Sequence, residues 1–431
     1  MKPCEYSCRT AEHVISRRRF VQSLAGAGAA AVLPGFGVFN SPTMAAELAR
    51  TQKRMLVINM AGGLSQLESW DPKPGTATGG PFRAIPTSVP GIHISELLPK
   101  TAKVMHHLAL IRSINTHEDD HGKGDYIMQT GRRKTPVQDY PVLGAVVAKC
   151  LDGSADSAMP GHIVITPGGG GRNADSAYLG PRYASVVLGN GKPPQFSERP
   201  QGLAEDASIC ANDLRRKVND RFALRRRTAQ TDAYTQSYEQ GLELVKQREA
   251  FDLTKESAQD QERYGSHDFG RHCLLARRLI EKGITYVRVT HANYDTHCEN
   301  FNFHFEQVGE FDGPFSTLVT DLHDRGLLEH TLIVVLSEFG RTPNINQLYG
   351  RDHWSKGWSI CLGGTGIQRG ALIGATNETG QEVKERQVDG GHLFHTYLAA
   401  LGIKPTGSFA VAGQKMPVAD PAFEPIDELL A

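Results

Sequence analysis

The chain has 431 residues, and its charges cancel, with 47 Lys and Arg against 47 Asp and Glu. Hydrophobic residues make up 39% of the sequence and charged residues 22%, a composition that excludes disordered and collagen-like chains. The zero net charge argues against a nucleic-acid binder, which needs a basic excess. The length permits one large α/β domain or two ordinary domains.

The first 45 residues have the layout of an export signal. Arginines fill positions 17 to 19, the Ala- and Gly-rich apolar stretch Phe20–Phe39 follows, and small residues surround Thr43–Ala46. We therefore predict a bacterial twin-arginine signal and a protein that is exported to the periplasm or cell envelope by the twin-arginine machinery. Interspersed glycines and prolines argue against a stable membrane span here. Either cleavage of the signal or its retention as a weak anchor is compatible with the sequence.

Apolar runs rich in β-branched residues alternate with helical patterns along the rest of the chain. Most runs are apolar on both faces, which is typical of a parallel sheet covered by helices. The predicted strands are Met55–Met60, Leu108–Ile114, His162–Thr166, Ile284–Thr290, Leu332–Leu336 and Ser359–Leu362. The helical pattern Arg271–Lys282 is followed by Gly283 and then by the predicted strand Ile284–Thr290. We predict an α/β fold with a doubly wound, mainly parallel central sheet and helices on both faces, in one domain over residues 46–431.

Residues 201–265 differ from the rest because they are charged, helix-prone and poor in β-branched residues. They predict a helical insertion whose charges form a solvated face. The Gly-rich stretch Pro167–Arg172 lacks P-loop spacing, so we interpret it as a flexible loop. Five cysteines follow the signal, without CxxC spacing, and indicate neither a zinc knuckle nor a full disulfide set.

Titratable side chains follow four of the predicted strands, at the edge of the sheet where doubly wound folds bind ligands. These candidates are Glu68, His117, His121, Asp295, His297, Glu338, Arg341, Asp352 and His353. Asp295 and His297 are two residues apart, so both can point the same way from an extended segment. Mixed His and carboxylate ligands suit zinc, manganese or iron better than calcium. The sequence predicts a divalent metal site; hydrogen-bonded pairs on surface loops are the alternative.

His117, His121 and Asp125 recur at i, i+4 and i+8, so they share one face of a helix. Thr116 and Asp119 resemble a capping box, which predicts that this helix begins near Glu118. Its positive end would attract an anion such as phosphate or sulfate. The alternative is an acidic helix start that is merely well capped.

Glu338 ends an apolar strand, where an unpaired carboxylate is costly, so it is either a metal ligand or the partner of Arg341. Arg341 could instead clamp an anionic substrate through its planar guanidinium.

Five motifs resemble a family of twin-arginine-exported bacterial proteins of unknown function within the alkaline phosphatase and sulfatase-like superfamily. They are Gly62–Ser65 with Trp70–Pro74, Met128–Arg132, Asp295–His297, Ser337–Pro343 and Gly350–Trp354. The resemblance implies a three-layer sandwich with a metal cluster at the carboxyl edge of the sheet. It also implies hydrolysis or transfer of phosphate or sulfate esters.

The resemblance also assigns individual positions. In the superfamily a Ser, Thr or Cys nucleophile stands nine residues before a Thr-Gly pair; here Thr130–Gly131 is present and His121 stands at the nucleophile position. Glu68 matches a metal-binding position after the first strand, and Glu338–Phe339 replaces an Asp-His pair. Asp295, His297 and His353 fit the remaining ligand positions.

Two functions remain open from the sequence. In the first, the protein is a metal-dependent hydrolase that uses metal-activated water, with zinc or manganese as the ion and His121 as a ligand or general acid/base. Arg341 or a second cation would stabilise charge on an anionic ester, for example a sulfated or phosphorylated glycan. In the second, the protein is a catalytically inactive envelope binding or structural protein that keeps the fold, with or without a metal.

Overall fold

The computed structural model describes residues 51–151, 160–168, 175–193, 202–226 and 229–431. The predicted export signal lies outside these residues, as does most of the Gly-rich stretch after Gly168. Among the described helices, none is both long and apolar enough to cross a membrane.

Eight strands form the central sheet. They are β1 (Arg54–Met60), β4 (Leu108–Ile114), β5 (His162–Thr166), β6 (Val186–Gly189), β7 (Tyr286–His291), β8 (Thr331–Leu336), β11 (Trp358–Gly364) and β12 (Leu372–Ile373). Their order is β12-β4-β11-β8-β1-β7-β5-β6. All neighbours pair in parallel except β11, which is antiparallel to β4 and β8.

Short two-stranded ribbons and nine helices complete the described fold. The ribbons comprise β2 (Ala84–Pro86) with β3 (His93–Ser95), β9 (Gly340–Arg341) with β10 (His353–Trp354), β13 (Ala375–Thr376) with β14 (Val383–Glu385), and β15 (Ser408–Val411) with β16 (Gln414–Pro417). The helices are α1 (Pro99–Val104), α2 (His121–Thr130), α3 (Leu143–Leu151), α4 (Glu205–Arg226), α5 (Ala229–Lys246), α6 (Ala258–Tyr264), α7 (Asp268–Glu281), α8 (Asn300–Asp324) and α9 (Gly390–Ala400).

Alternate residues of β1 enter two separate cores, one on each face of the sheet. Leu56 and Ile58 pack in a cluster with side chains of α7 and α8. Met55 and Val57 pack in a second cluster with side chains of α3 and α9. Because both faces are covered, a strand such as β1 is buried throughout and carries no polar face. The predicted α/β class, with a mainly parallel sheet between two helical layers, is confirmed.

The predicted strands all occur, with ends that differ by at most two residues. Two edge strands, β6 and β12, are missing from the prediction because four and two residues are too few to show a pattern. The predicted start of α2 is wrong. The helix begins at His121 behind Asp120, whose side chain accepts a hydrogen bond from the Lys123 amide at 3.0 Å, so Thr116 and Asp119 form no capping box.

The charged region predicted to be helical contains α4, α5 and α6. Glu239 on α5 pairs with Arg215 and Arg216 on α4. The region also contributes apolar side chains to the core beneath α7 and α8, since Leu244, Phe251 and Tyr264 are buried there. The segment from α5 to α6 is therefore anchored to the sheet layer by burial as well as by charge.

Candidate metal centre

The carboxyl ends of three adjacent strands meet at one edge of the sheet, because β1 lies between β7 and β8. The loop after β7 carries Asp295 and His297, β10 carries His353, and α2 begins at His121. His121, Asp295 and His353 each offer one ligand atom, and these atoms lie within 4.8 Å of one another. Asp295 and His297 are each 47% exposed, so the cluster is open to solvent and to a ligand.

Three of these side chains are spaced as the ligands of one small cation would be. The Nε2 atoms of His297 and His353 are 3.0 Å apart. Asp295 Oδ1 lies 3.1 Å from the first nitrogen and 3.2 Å from the second. Ligands in a tetrahedral zinc site at 2.0–2.1 Å from the ion are about 3.3 Å apart. The three atoms therefore form one face of a coordination tetrahedron.

The second nitrogen of each imidazole is held by an acceptor. His297 Nδ1 lies 2.8 Å from Asp352 Oδ1, and His353 Nδ1 lies 2.7 Å from the backbone oxygen of Asp119. A carbonyl or an ionised carboxylate can only accept, so both Nδ1 atoms carry the hydrogen and both Nε2 atoms present lone pairs. Two lone pairs that face each other at 3.0 Å repel unless a proton or a cation lies between them. This arrangement fits a metal site with oriented ligands.

Arg341 holds Asp295 in place. The Arg341 side chain is fully buried, and its Nη2 lies 2.5 Å from Asp295 Oδ1. The same guanidinium donates to the backbone oxygens of Gly62, Gly63 and Arg351. Burial alone would raise the pKa of Asp295, but Arg341 outweighs it and holds this pKa at about 2. Asp295 is therefore ionised at neutral pH, and Arg341 is placed to position it rather than to clamp a substrate.

Glu338 orients His121. Its Oε1 accepts from His121 Nδ1 at 2.7 Å and from the Gly62 amide at 2.9 Å. His121 Nε2 lies 3.3 Å from Asp295 Oδ2, and the centroid of its ring lies 4.5 Å from that of His353. The hydrogen bond to Glu338 raises the pKa of His121, against the effect of burial. Glu338 thus pairs with His121 and not with Arg341.

Two glycines let the loop after β1 approach the cluster. Gly62 has φ +116°, and a Cβ there would lie 2.4 Å from the Asp295 amide nitrogen. Gly63 has φ +92°, and a Cβ there would lie 2.7 Å from the Phe339 ring. L-residues avoid this backbone region, so the Gly-Gly pair is required both by conformation and by space.

The structure does not bring Glu68 or His117 to the cluster. Glu68 and Arg351 are both fully buried and form a two-pronged ion pair at 2.8 and 3.1 Å. Burial raises the pKa of Glu68, but Arg351 more than offsets this and the net pKa is lowered. His117 is exposed, precedes α2, and has φ +53°. Glu68 therefore occupies an internal ion pair, and His117 does not share a helix face with His121.

Ser337 is a structural member of the site that the sequence did not single out. Its hydroxyl accepts from the amides of Gly63 and Leu64 at 3.1 and 3.0 Å and donates to the Met60 oxygen at 2.6 Å. A small hydroxyl directly after a buried strand, beside a Gly-Gly turn on the neighbouring strand, was the available sequence signal. Ser337 fixes the loop after β1 to the end of β8.

A model of the family described as "Protein of unknown function (DUF1501)" matches residues 52–430. The chain belongs to the DUF1501 family. This confirms the resemblance to a family of unknown function. No curated protein matches this DUF1501 chain in sequence.

Several solved structures resemble this DUF1501 chain. The lipoteichoic acid synthase LtaP from Listeria monocytogenes has 8% identity and a TM-score of 0.40, covering 86% of this chain and 76% of that one. A protein in the alkaline phosphatase superfamily from Vibrio parahaemolyticus has 10% identity and a TM-score of 0.33, covering 82% and 67%. The PsFucS1 sulfatase from Pseudoalteromonas sp. has 13% identity and a TM-score of 0.37, covering 84% and 72%.

Proposed function

We propose that this protein is a metal-dependent hydrolase of phosphate or sulfate esters, with Asp295, His297 and His353 holding one divalent cation, zinc or manganese. The observation that carries the proposal is the pair of imidazole Nε2 atoms 3.0 Å apart. Both rings have their Nδ1 hydrogen committed to an acceptor, so a cation is the natural occupant of the space between them.

Such an ion would supply Lewis-acid polarisation and would lower the pKa of a bound water. Water is the proposed nucleophile because His121 occupies the start of α2, and the buried Ser337 hydroxyl is committed to two amides and a carbonyl. His121 Nε2 lies 3.3 Å from Asp295 Oδ2, whereas the other two imidazoles approach Oδ1. We assign it the role of general acid because Glu338 accepts from its Nδ1 and raises its pKa, which favours the protonated ring over a ligand.

The proton balance of the reaction follows from this placement. The bond between phosphorus or sulfur and the alcohol oxygen breaks, and that oxygen takes the proton of His121 Nε2. The attacking water gives its oxygen to the phosphoryl or sulfuryl group, and the proton that it loses returns to His121. Glu338 holds the ring at Nδ1 throughout, at 2.7 Å, and Arg341 keeps Asp295 ionised beside it.

The test combines metal content with turnover. Metal-free protein is reloaded with Zn²⁺ or Mn²⁺, and 4-nitrophenyl phosphate and 4-nitrophenyl sulfate are assayed. We expect His353→Ala to lose both the bound ion and turnover. His121→Gln should keep the ion and lose turnover by about 10²- to 10⁴-fold. The control His323→Ala changes a half-exposed histidine outside the cluster, which contacts the adjacent Asp324 and the ring of His107, and should retain both properties.

Two results would reject the hydrolase. Wild-type protein that binds neither ion stoichiometrically removes the metal centre itself. Wild-type protein that binds an ion but turns over neither ester supports the inactive envelope binding or structural protein instead. Equal loss of metal in His121→Gln and His353→Ala would make His121 a ligand and leave the reaction without its general acid.

We propose that the protein acts in the cell envelope after twin-arginine export. The support is the run of arginines at positions 17 to 19 ahead of a small-residue apolar stretch. The double substitution Arg17→Lys and Arg18→Lys should retain the protein in the cytoplasm, as measured by cell fractionation. The control Arg19→Lys should be exported normally. Export of the double variant at the wild-type level would contradict this route.

A further inference from the structure

A cavity of about 680 Å³ opens beside the metal centre, and His121 and Glu338 form part of its wall. Its size is within the range of small-molecule binding sites. The hydrolase mechanism uses only these two wall residues. The remainder of the cavity has no role in that mechanism and extends away from the cluster, between the sheet and α2.

The floor of the cavity is a polar continuation of one face of the sheet. On β1, Met55 and Val57 are core residues on this face, and the next residues of the same alternation, Asn59 and Ala61, line the cavity. On β7, Tyr286 is core, and Arg288 and Thr290 line the cavity. The face thus changes from apolar to polar toward the carboxyl ends of the strands, where ligands bind in such sheets.

The opposite wall is one column of side chains on α2. His121, Asp125 and Gln129 recur every four residues, and all three line the cavity. His121 therefore stands at the end of the column that meets the metal centre, while Asp125 and Gln129 extend the same face along the helix. A substrate whose ester group lies at the metal centre would place its alcohol part against this column.

The charges of the lining disfavour a second anionic group. Four carboxylates line the cavity (Asp125, Asp139, Asp175 and Glu338) against one Lys, one Arg and the protonated His121 that the mechanism requires, which leaves a formal charge of −1. Most of these carboxylates already have partners. Asp125 pairs with Arg288 at 3.0 Å, Glu338 bonds to His121, and Asp175 accepts from the Ser185 amide at 3.1 Å. They are oriented acceptors for hydroxyl groups rather than free counter-ions for an ammonium group.

Two polar side chains in the floor are available to a ligand. Asn59 is only 5% exposed, and within the described part of the chain its amide has no hydrogen-bond partner. The hydroxyl of Thr290, two residues along the alternation of β7, likewise has none among the residues that the structure describes. Both side chains line the cavity, and Thr290 is only partly buried, so a ligand in the cavity can donate to them and accept from them.

We infer that this cavity binds the alcohol part of the substrate and that this part is an uncharged polyhydroxyl unit, such as a sugar. The assignment rests on the proposed hydrolase function for the position of the ester group. A sugar offers hydroxyls that both donate to the oriented carboxylates and pair with Asn59 and Thr290. A substrate with a second phosphate or sulfate meets the negative lining and binds poorly.

Thr290→Val removes one hydroxyl at almost constant volume and leaves the metal centre intact. We expect it to lower kcat/KM for glucose 6-phosphate or glucose 6-sulfate by about three- to tenfold, the value of one neutral hydrogen bond. Turnover of the 4-nitrophenyl esters should stay within twofold. The control Thr320→Val changes a hydroxyl on α8 that bonds to the Ser316 oxygen and should affect neither substrate class. Glucose 1,6-bisphosphate should react at least tenfold more slowly than the monoester.

A second measurement separates this inference from the function on which it rests. Binding of methyl α-D-glucopyranoside, which carries no ester, is followed by saturation-transfer NMR on wild type and Thr290→Val. Binding that weakens in the variant, without turnover of any ester, supports the cavity and rejects the hydrolase. Turnover of aryl esters without binding of the glucoside rejects the sugar site and leaves the hydrolase standing. Equal rates for glucose bisphosphate and monophosphate would also overturn the inference.

Discussion

The ion pair between Glu68 and Arg351 indicates that Glu68 stabilises the fold and is not a metal ligand. Both side chains are fully buried. Arg351 also donates to the Thr78 oxygen at 2.8 Å and the Thr342 oxygen at 3.1 Å, and its own oxygen accepts from Arg341. Glu68 thus neutralises the residue that precedes Asp352 and His353. Glu68→Gln keeps the shape of the side chain and removes its charge.

The expected cost of Glu68→Gln is large because it leaves a buried guanidinium without a counter-ion. Breaking one partner of a buried pair costs about 3–5 kcal/mol. The 431-residue chain has an unfolding entropy of about 0.9 kcal/mol per kelvin near its midpoint. The melting temperature should therefore fall by about 3–6 °C. The control Glu329→Gln alters an exposed partner of Arg369 and should shift it by less than about 1 °C.

Calorimetry and metal analysis on the same samples test this reasoning. At 20 °C, where the variant is still folded, Glu68→Gln should bind the divalent ion with wild-type stoichiometry, because Glu68 lies outside the cluster. Replacing both Glu68 and Arg351 by Leu and Met should recover much of the lost stability, since no unpaired charge remains. An unchanged melting temperature together with loss of the ion would refute the reasoning and make Glu68 a ligand.

Three further predictions concern the environment of the cluster. Asp352→Asn removes the charge behind one ligand imidazole and should weaken metal binding by about 10- to 100-fold in a chelator competition, without loss of stability; unchanged affinity would contradict the oriented-ligand interpretation. Burial lowers the pKa of His304 to about 4, so the unfolded chain protonates first as the pH falls below about 6.5. Stability should decline by up to about 3 kcal/mol between pH 6.5 and 4 in urea titrations, and His304→Gln, which retains an acceptor for the Ser65 amide, should lose this part of the pH dependence. Gly62→Ala should destabilise the protein by at least about 2 kcal/mol, and more than Gly75→Ala, which shares a positive φ but has open space; equal effects would mean that only backbone strain matters.

The central sheet and the pair of Asp295 and His297 could be predicted from the sequence, because both follow from local patterns of residues. Apolar runs predicted the central strands. The rule that ligands bind at the carboxyl ends of the strands predicted that Asp295 and His297 belong to a site. His353 reaches the cluster on the ribbon formed by β9 and β10. Each of these strands has two residues, which is too few to show a periodicity in the sequence. Its inclusion in the prediction rested on the motif Gly350–Trp354, through which the family resemblance assigns His353 to a ligand position.

The roles of Glu68 and Arg341 could not be derived in this way, because each depends on a partner far along the chain. Glu68 meets Arg351, 283 residues later, and Arg341 meets Asp295 rather than its near neighbour Glu338. The predicted start of α2 was wrong for a local reason. The predicted cap was Thr116, and the residue that caps the helix by accepting from the Lys123 amide is Asp120, four residues later.

The joining of distant segments by Arg341 has a consequence for the order of events during synthesis. This one side chain ties together the Gly62–Gly63 turn, Asp295 and the backbone of Arg351. A nascent chain that stops before β8 contains β1, His121, Asp295 and His297. It lacks Arg341, which holds Asp295 in place. The proposed ion site would then form only after Arg341 and His353 have left the ribosome, so binding of the ion would follow synthesis of β8 and of the ribbon formed by β9 and β10.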